Sequence, residues 1–259
     1  MADELDEVRR YPLRVPAWAG IPGLVHGFLG RAHGLGAGSF SADDLRRRLA
    51  AAGDPADVVL AARQVHGAEV FAPRDPARSA AAWEGRPLPA GLAEADALVT
   101  ASRAVVTIRT ADCVPILLVA PAAHAVAAVH AGWRGLLAGV VETALATLAT
   151  RHGARAADVR AAIGPAIGVC CYEFGAEHIG ALAARFGADA LARAWRPKAE
   201  RGQLDLRAVA RVALEGAGVP ASAITTVGPC TAHHPAELHS YRRDGANAGR
   251  QLSYIGWEG

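Results

Sequence analysis

Residues 113 to 133 read CVPILLVAPAAHAVAAVHAGW, a stretch without one Asp, Glu, Lys or Arg. Its length would suit a membrane-spanning helix, but Pro115, Pro121, His124, His130 and Gly132 interrupt it. Two strands joined by a turn at PAAH accommodate all five residues. Strands so continuously apolar must be covered on both faces. The covering layers are to be sought in the flanking sequence. ADALVT and AVVTIRTADC read as further strands, and DVVLAARQVHGAEVF as a strand that turns at Gly67. WRGLLAGVVETALATLATRHG reads as one helix, its apolar stripe running from Leu136 to Leu148 and its end closed by Gly153.

The rest of the chain fits a mixed pattern. ADDLRRRLAAAG predicts a helix with acidic residues first and basic residues last, as the helix dipole favours, with Arg46, Arg47 and Arg48 on a solvated face. A Pro/Ala/Gly-rich stretch from Pro73 to Gly91 reads as a surface loop. Helical segments are expected around 175 to 195 and 205 to 217, the second capped by Asp205; VRAAIGPAIG reads as a strand running into a Gly/Pro turn, and further strands are expected near 224 to 227, 238 to 243 and 251 to 256. The expectation is an α/β fold (an α+β mixed sheet) in one domain over residues 23–259, behind an N-terminal segment 1–22.

Composition narrows the function classes. Of the 259 residues, 52% are hydrophobic and 20% charged, which is globular and not disordered composition. The formal net charge is +2 with arginines scattered along the chain, which argues against nucleic-acid and membrane-surface partners. The opening MADELDEVRRYPLRVPAW has no apolar signal region, and Cys113, Cys170, Cys171 and Cys230 form no C-x-x-C pair. A cytoplasmic protein with reduced thiols, and no disulfide among the four, is expected.

Three residues sit where predicted buried strands end beside a chain-bending residue: His66 in RQVHG, Cys113 in TADC and His130 in VHAGWRG. Two imidazoles and a thiolate are a ligand set for a catalytic zinc with its fourth position open. A Cys-His nucleophilic pair oriented by Asp112 fits the same residues, and so do core histidines beside a small buried cysteine. Among the basic residues, Arg134 follows Gly132 in the first turn of the best helix, a position that attracts phosphate. Arg31 precedes the glycine loop HGLGAGS, and Arg242, Arg243 and Asp244 lie together in HSYRRDG. Glu173, in IGPAIGVCCYE, reads as a buried carboxylate or a helix-start charge.

Taken together, RQVHGAEV, ADALVT, TADCVPILL, AVHAGWRGLLAGVVE, IGPAIGVCCYE and SYRRDG, in this order, resemble the multicopper polyphenol oxidase (laccase-domain) family. The resemblance runs from about residue 23 to the end. It implies a single α/β domain related to a class of Cys-His toxins. The implied activity is that of a purine nucleoside phosphorylase which also deaminates adenosine, with purine nucleosides and phosphate as its small-molecule partners. It also implies that His66, Cys113 and His130 bind zinc, with Asp112 and Glu173 as candidate proton shuttles and Arg31, Arg134 and Arg242 as candidate phosphate or substrate contacts. Copper is disfavoured, because a laccase needs several histidine-rich copper sites and only two of the ten histidines fall in strong motifs. The Ser-Leu-Asn element usual in the family's glycine loop is replaced here by GRAHGLGAGSFSADD. The rival readings are a metal-free Cys-His hydrolase, a copper-dependent polyphenol oxidase and a catalytically weak binding protein. A monomer is favoured over an oligomer.

Overall fold

The computed structural model describes residues 11–38, 40–82 and 92–258. The uncharged run folds as the hairpin β6 (Val114–Ala120) and β7 (Ala125–Ala131), turned by a 3-10 segment, Pro121–Ala123, and by His124 at φ 46°. Its register pairs Val114 with Ala131 and Ala120 with Ala125. This hairpin is the middle of a six-stranded sheet. On one side lie β8 (Arg160–Ile163) and β12 (Ile224–Thr226), on the other β4 (Ala97–Thr100) and β3 (Val70–Phe71).

Alternation within the hairpin divides it between two cores. Leu117, Val119, Val126 and Ala128 face a four-stranded sheet of β1 (Leu24–Phe28), β13 (Gln251–Trp257), β5 (Val105–Thr110) and β2 (Val59–Leu60). There they share a core with Val106, Ile108, Leu252 and Ile255. Ile116, Leu118, Ala127 and Val129 face the other way. They join Val141, Ala144 and Leu148 of helix α4 (Val140–His152), and Val209 and Ala213 of helix α7 (Leu206–Gly216). Each aliphatic side chain so buried stabilises the fold by roughly 1.5–3 kcal/mol, and a charge at any of these positions would lack a partner. Three layers therefore explain a hairpin with no charge on either face. The hairpin and its neighbours β4 and β8 pair antiparallel, whereas β2–β5, β3–β4 and β8–β12 pair in parallel.

Local signals hold at several helix starts. Ser41 and Asp44 form a reciprocal capping box at α1 (Ala42–Ala51), and Asp205 caps α7. On α1, Arg46 and Arg47 pair with Asp43 and Asp44 three residues back. Elsewhere the structure corrects the sequence reading. The long helix breaks at Gly139, whose φ of 92° ends the six-residue α3 (Trp133–Ala138) before α4 starts. Gly139 N–H satisfies Gly135 and Leu136 carbonyls there, a left-handed C-cap within a continuous apolar stripe. Residues 238 to 243 form no strand: Ser240 accepts the Arg243 N–H and opens the short helix α8 (Tyr241–Asp244).

Part of the expected loop at 73–91 is helix α2 (Pro76–Ala81), and residues 83–91 of it lie outside the described residues. On either side of the first expected helical segment a three-stranded sheet forms from β9 (Glu173–Gly175) before it and β10 (Trp195–Lys198) and β11 (Arg201–Leu204) after it. Its strands are too short and too polar to show alternation. It frames helices α5 (Ile179–Phe186) and α6 (Ala188–Ala194). Among the described residues, no helix is long and apolar enough to cross a membrane.

Candidate metal centre and arginine-lined cleft

His130 is the penultimate residue of β7 and is 3% exposed, and Cys113 immediately precedes β6. Their strands are hairpin partners, so the hairpin register alone brings them near one another. His66 comes from elsewhere. It is not at a strand end, as the sequence reading had it, but in a turn at φ 62°. The donor atoms of His66, Cys113 and His130 lie within 4.8 Å of one another, with Cys113 Sγ 3.8 Å from His66 Nε2 and the two imidazoles edge to face at 4.8 Å.

The group that assembles them is Asp96, at the head of β4 and 0% exposed. Its Oδ2 accepts the N–H of Val65 at 3.1 Å and of Gly67 at 2.7 Å. Its Oδ1 accepts the N–H of His66 at 3.0 Å and lies 2.7 Å from His130 Nδ1. One carboxylate thus holds the left-handed turn that carries His66 and orients the ring of His130, leaving its Nε2 for the centre. Sequence reasoning missed Asp96. The available signal was an acidic residue opening the otherwise apolar strand ADALVT. Gly132 is equally constrained, because a Cβ there would lie 3.0 Å from His66 Cδ2 and 3.1 Å from Cys113 Sγ. Gln64 fixes the approach of the same loop through two hydrogen bonds to the backbone of Arg109, at 2.7 and 2.9 Å.

Charges in the trio reinforce one another. Burial raises the Cys113 pKa, but His130 and then His66 outweigh it and bring the thiol down to about 6. Burial also opposes the His130 imidazolium, but Cys113 and Asp96 outweigh it and lift that group to about 9. Asp96 feels burial first, yet the hydrogen bonds from His130 and the Gly67 N–H hold it below its ordinary value. The trio therefore favours a thiolate beside a positive charge. A divalent cation is the natural replacement for the shared proton, and the soft thiolate with two imidazoles fits a tetrahedral ion with one open position.

His66, Cys113 and His130 line a cleft of about 580 Å³. Arg109, Arg134, Arg242 and Arg250 line it, with Trp133, Tyr172 and Tyr241 supplying aromatic faces. Arg109 is brought down to about 10 by burial and by Arg250. Arg134 lies over the Trp133 ring, 4.6 Å from its centroid, and makes no ion pair among the described residues. Glu142, on the following helix α4, pairs with Arg185 at 2.9 Å. The break at Gly139 leaves Arg134 on only six residues of helix, so its own charge and not a long helix dipole recommends it. Arg242 lies on α8, where its Nη2 donates to the Glu173 carbonyl at 2.9 Å.

Asp112 also lines the cleft, with φ 91°. Its Oδ1 accepts the Thr231 hydroxyl at 2.5 Å and its Oδ2 the Arg242 N–H at 2.6 Å. Two expected participants lie apart from the cleft lining. The Glu173 carboxylate pairs with Arg201 at 3.2 Å, and Arg31 pairs with Asp244 at 3.3 Å.

A single α/β domain of mixed sheets, with a His/Cys group able to hold a metal ion beside a cationic cleft, is the class of protein that fold and site define. The chain belongs to the multi-copper polyphenol oxidoreductase laccase family, whose model matches residues 41–258. It is 36% identical to the purine nucleoside phosphorylase of Deinococcus radiodurans, over 94% of this chain and 92% of that protein. To adenosine deaminase RL5, from an unknown prokaryotic organism, it is 40% identical over 64% of this chain and 63% of that one. The crystal structure of YlmD from Geobacillus stearothermophilus superposes with a TM-score of 0.83 at 30% identity, covering 97% of both chains.

Proposed function

We propose that this chain is a zinc-dependent purine nucleoside phosphorylase acting on adenosine, inosine, guanosine or methylthioadenosine, with adenosine deamination as a second activity. The observation that carries the reading is the His66–Cys113–His130 ligand set opening directly onto a cleft with four arginines. The names of the relatives, a phosphorylase and a deaminase, support the same two reactions.

In phosphorolysis a phosphate oxygen forms a bond to ribose C1′ while the bond to the purine nitrogen breaks. The electron pair leaves with the purine, which takes up a proton. Arg134 and Arg242 are the residues we assign to the phosphate, since charge-assisted bonds from a guanidinium suit its planar oxygen pairs. Trp133, Tyr172 and Tyr241 offer faces on which a purine can stack. Asp112 takes the role of holding or passing a proton in preference to Glu173, because Asp112 lines the cleft and Glu173 lies apart from it, paired with Arg201. Zinc held by His66, Cys113 and the Nε2 of His130 would, when bound, supply Lewis acidity that makes water nucleophilic near neutral pH. Asp96 keeps His130 in the tautomer that presents Nε2.

Incubation of the zinc-loaded protein with adenosine, with and without phosphate, tests the reading. Chromatography should show adenine and ribose 1-phosphate only with phosphate present, and inosine in either case. Absence of both products rejects it. A second reading, a metal-free cysteine hydrolase, is favoured by the lowered Cys113 pKa alone. It requires activity to persist after zinc is stripped.

A further inference from the structure

A second group of donor atoms lies outside the cleft: Cys170, Cys171, Cys230 and His233, all within 4.8 Å of one another. We propose that these four residues form a closed, structural Cys3His site for a zinc ion, distinct from the cleft.

The quartet has the properties of a ligand cage. Three thiols and one imidazole are the soft, four-donor set that selects tetrahedral zinc, and a structural site uses all four positions for protein ligands. Cys170 Sγ and His233 Nδ1 are 3.7 Å apart, inside the edge of about 3.5–3.8 Å that zinc–sulfur and zinc–nitrogen bond lengths impose on a tetrahedron. Cys230 and His233 stand in a C-x-x-H turn, so one bend of chain delivers two donors. The Cys230 sulfur accepts the Gly168 N–H at 3.1 Å, and the N–H groups of Ala232 and His233 also point to it. Backbone donors converging on one sulfur favour a thiolate over a thiol. The space is kept open by glycine. A Cβ on Gly168 would stand 3.1 Å from Cys170 Sγ and 3.3 Å from Cys230 Sγ.

The cage also has a mechanical consequence. It ties the Cys170–Cys171 turn to the strip that follows Cys230. Thr231, the next residue, donates its hydroxyl to Asp112 in the cleft wall, and Arg243 Nη1 holds the carbonyls of Thr231 and Ala232 at 3.0 and 3.2 Å. A bound ion would brace that wall from outside without touching substrate.

Cobalt(II) reconstitution of the full chain carrying Cys113→Ser tests the site independently of the cleft, because that variant has lost the cleft's single thiolate. A strong thiolate-to-cobalt charge-transfer band must remain, and adding Cys170→Ser should cut it by about one third. A Cys113→Ser protein without such a band overturns the proposal, whether or not the cleft binds metal. On the unmutated protein, organomercurial titration with zinc release followed by a chromophoric chelator should free one equivalent of zinc as Cys170, Cys171 and Cys230 react. This reading needs no variant to fold. Two results overturn the site: zinc release complete before those three cysteines are modified, or a disulfide joining Cys230 to Cys170 or Cys171 in freshly purified protein.

Discussion

His130 belongs to a strand buried on both faces, and its imidazole is clamped by a carboxylate that is itself 0% exposed. Cys230 and His233 lie instead on a surface turn joined to the rest of the fold by an isolated bridge to Ala166 and by side-chain bonds. Both regions gather sulfur and imidazole within 4.8 Å. The cleft trio is organised by the sheet and by Asp96, so its geometry exists before any ion arrives, and it leaves a side open to a cavity. The turn quartet gathers four donors, but only Cys230 is buried; Cys170 and His233 are exposed and Cys171 is half-buried. Preorganised and open suits chemistry, while closed and loosely scaffolded suits an ion that does the organising.

The widest separation between the regions is expected in thiol acidity. Hydrogen bonding and charge bring Cys113 down to about 6, whereas burial and then Cys170 push Cys171 up to about 12. In chelator-treated protein near pH 7.5 Cys113 should be mostly thiolate and Cys171 mostly thiol. Mass mapping of iodoacetamide adducts across pH should show a Cys113 step near 6 and no Cys171 labelling below about 10. Equal labelling would erase the contrast. The Cys113 pKa is depressed on folding, so its stabilising effect is present at high pH and lost as pH falls through about 6. The His130 pKa is raised, so its effect is present at low pH and lost as pH climbs through about 9. Between about 6.5 and 9 the two effects run in opposite directions, so the urea resistance of metal-free protein should change little with pH there, and Cys113→Ser should unmask the fall due to His130.

Asp96→Asn should be the most damaging single change in the cleft. It leaves four donors around an amide that offers one acceptor oxygen, and breaking such a buried charged network costs about 3–5 kcal/mol. Urea denaturation should register that loss, and zinc affinity should fall roughly 10–100-fold. Wild-type stability together with wild-type zinc binding would show that the scaffold, and not this carboxylate, organises the trio.

Arg134→Ala should act on the anion alone. Loss of a charge-assisted bond costs on the order of 1.5–3 kcal/mol, so phosphate affinity should drop roughly ten- to a hundredfold with zinc content unchanged. Deamination, which uses no phosphate, should suffer less. Equal loss of both activities, or no loss, removes Arg134 from the phosphate role.

The smallest expected effect is at the seam between the regions. Thr231→Val keeps the shape and deletes the hydroxyl bound to Asp112, at a cost of about 1–2 kcal/mol. Turnover should fall a few-fold while both cysteine groups keep their reactivity towards iodoacetamide. A variant with unchanged stability and turnover would mean that the two regions are independent.

The hairpin at 114 to 131 was legible because an uncharged run interrupted by prolines has one economical fold, and alternation within it dictates two cores. Cys113 and His130 come together by that register, so half of the trio's geometry follows from local pattern. The Asp205 cap and a strand near 251 to 256 were equally plain, since caps and long apolar strands are signals carried by neighbouring residues. Tertiary structure decided the rest. His66 reaches the centre only because Asp96, thirty positions further on, binds its turn, and no spacing rule links the two. The break at Gly139 and the loss of a strand at 238 to 243 depend on contacts made across the fold, such as Asp112 with the Arg242 N–H. The Cys170, Cys171, Cys230 and His233 group is invisible in one dimension for the same reason. Its halves are separated by some sixty residues and meet because β8 and β12 pair in parallel, which sets the segments after both strands side by side.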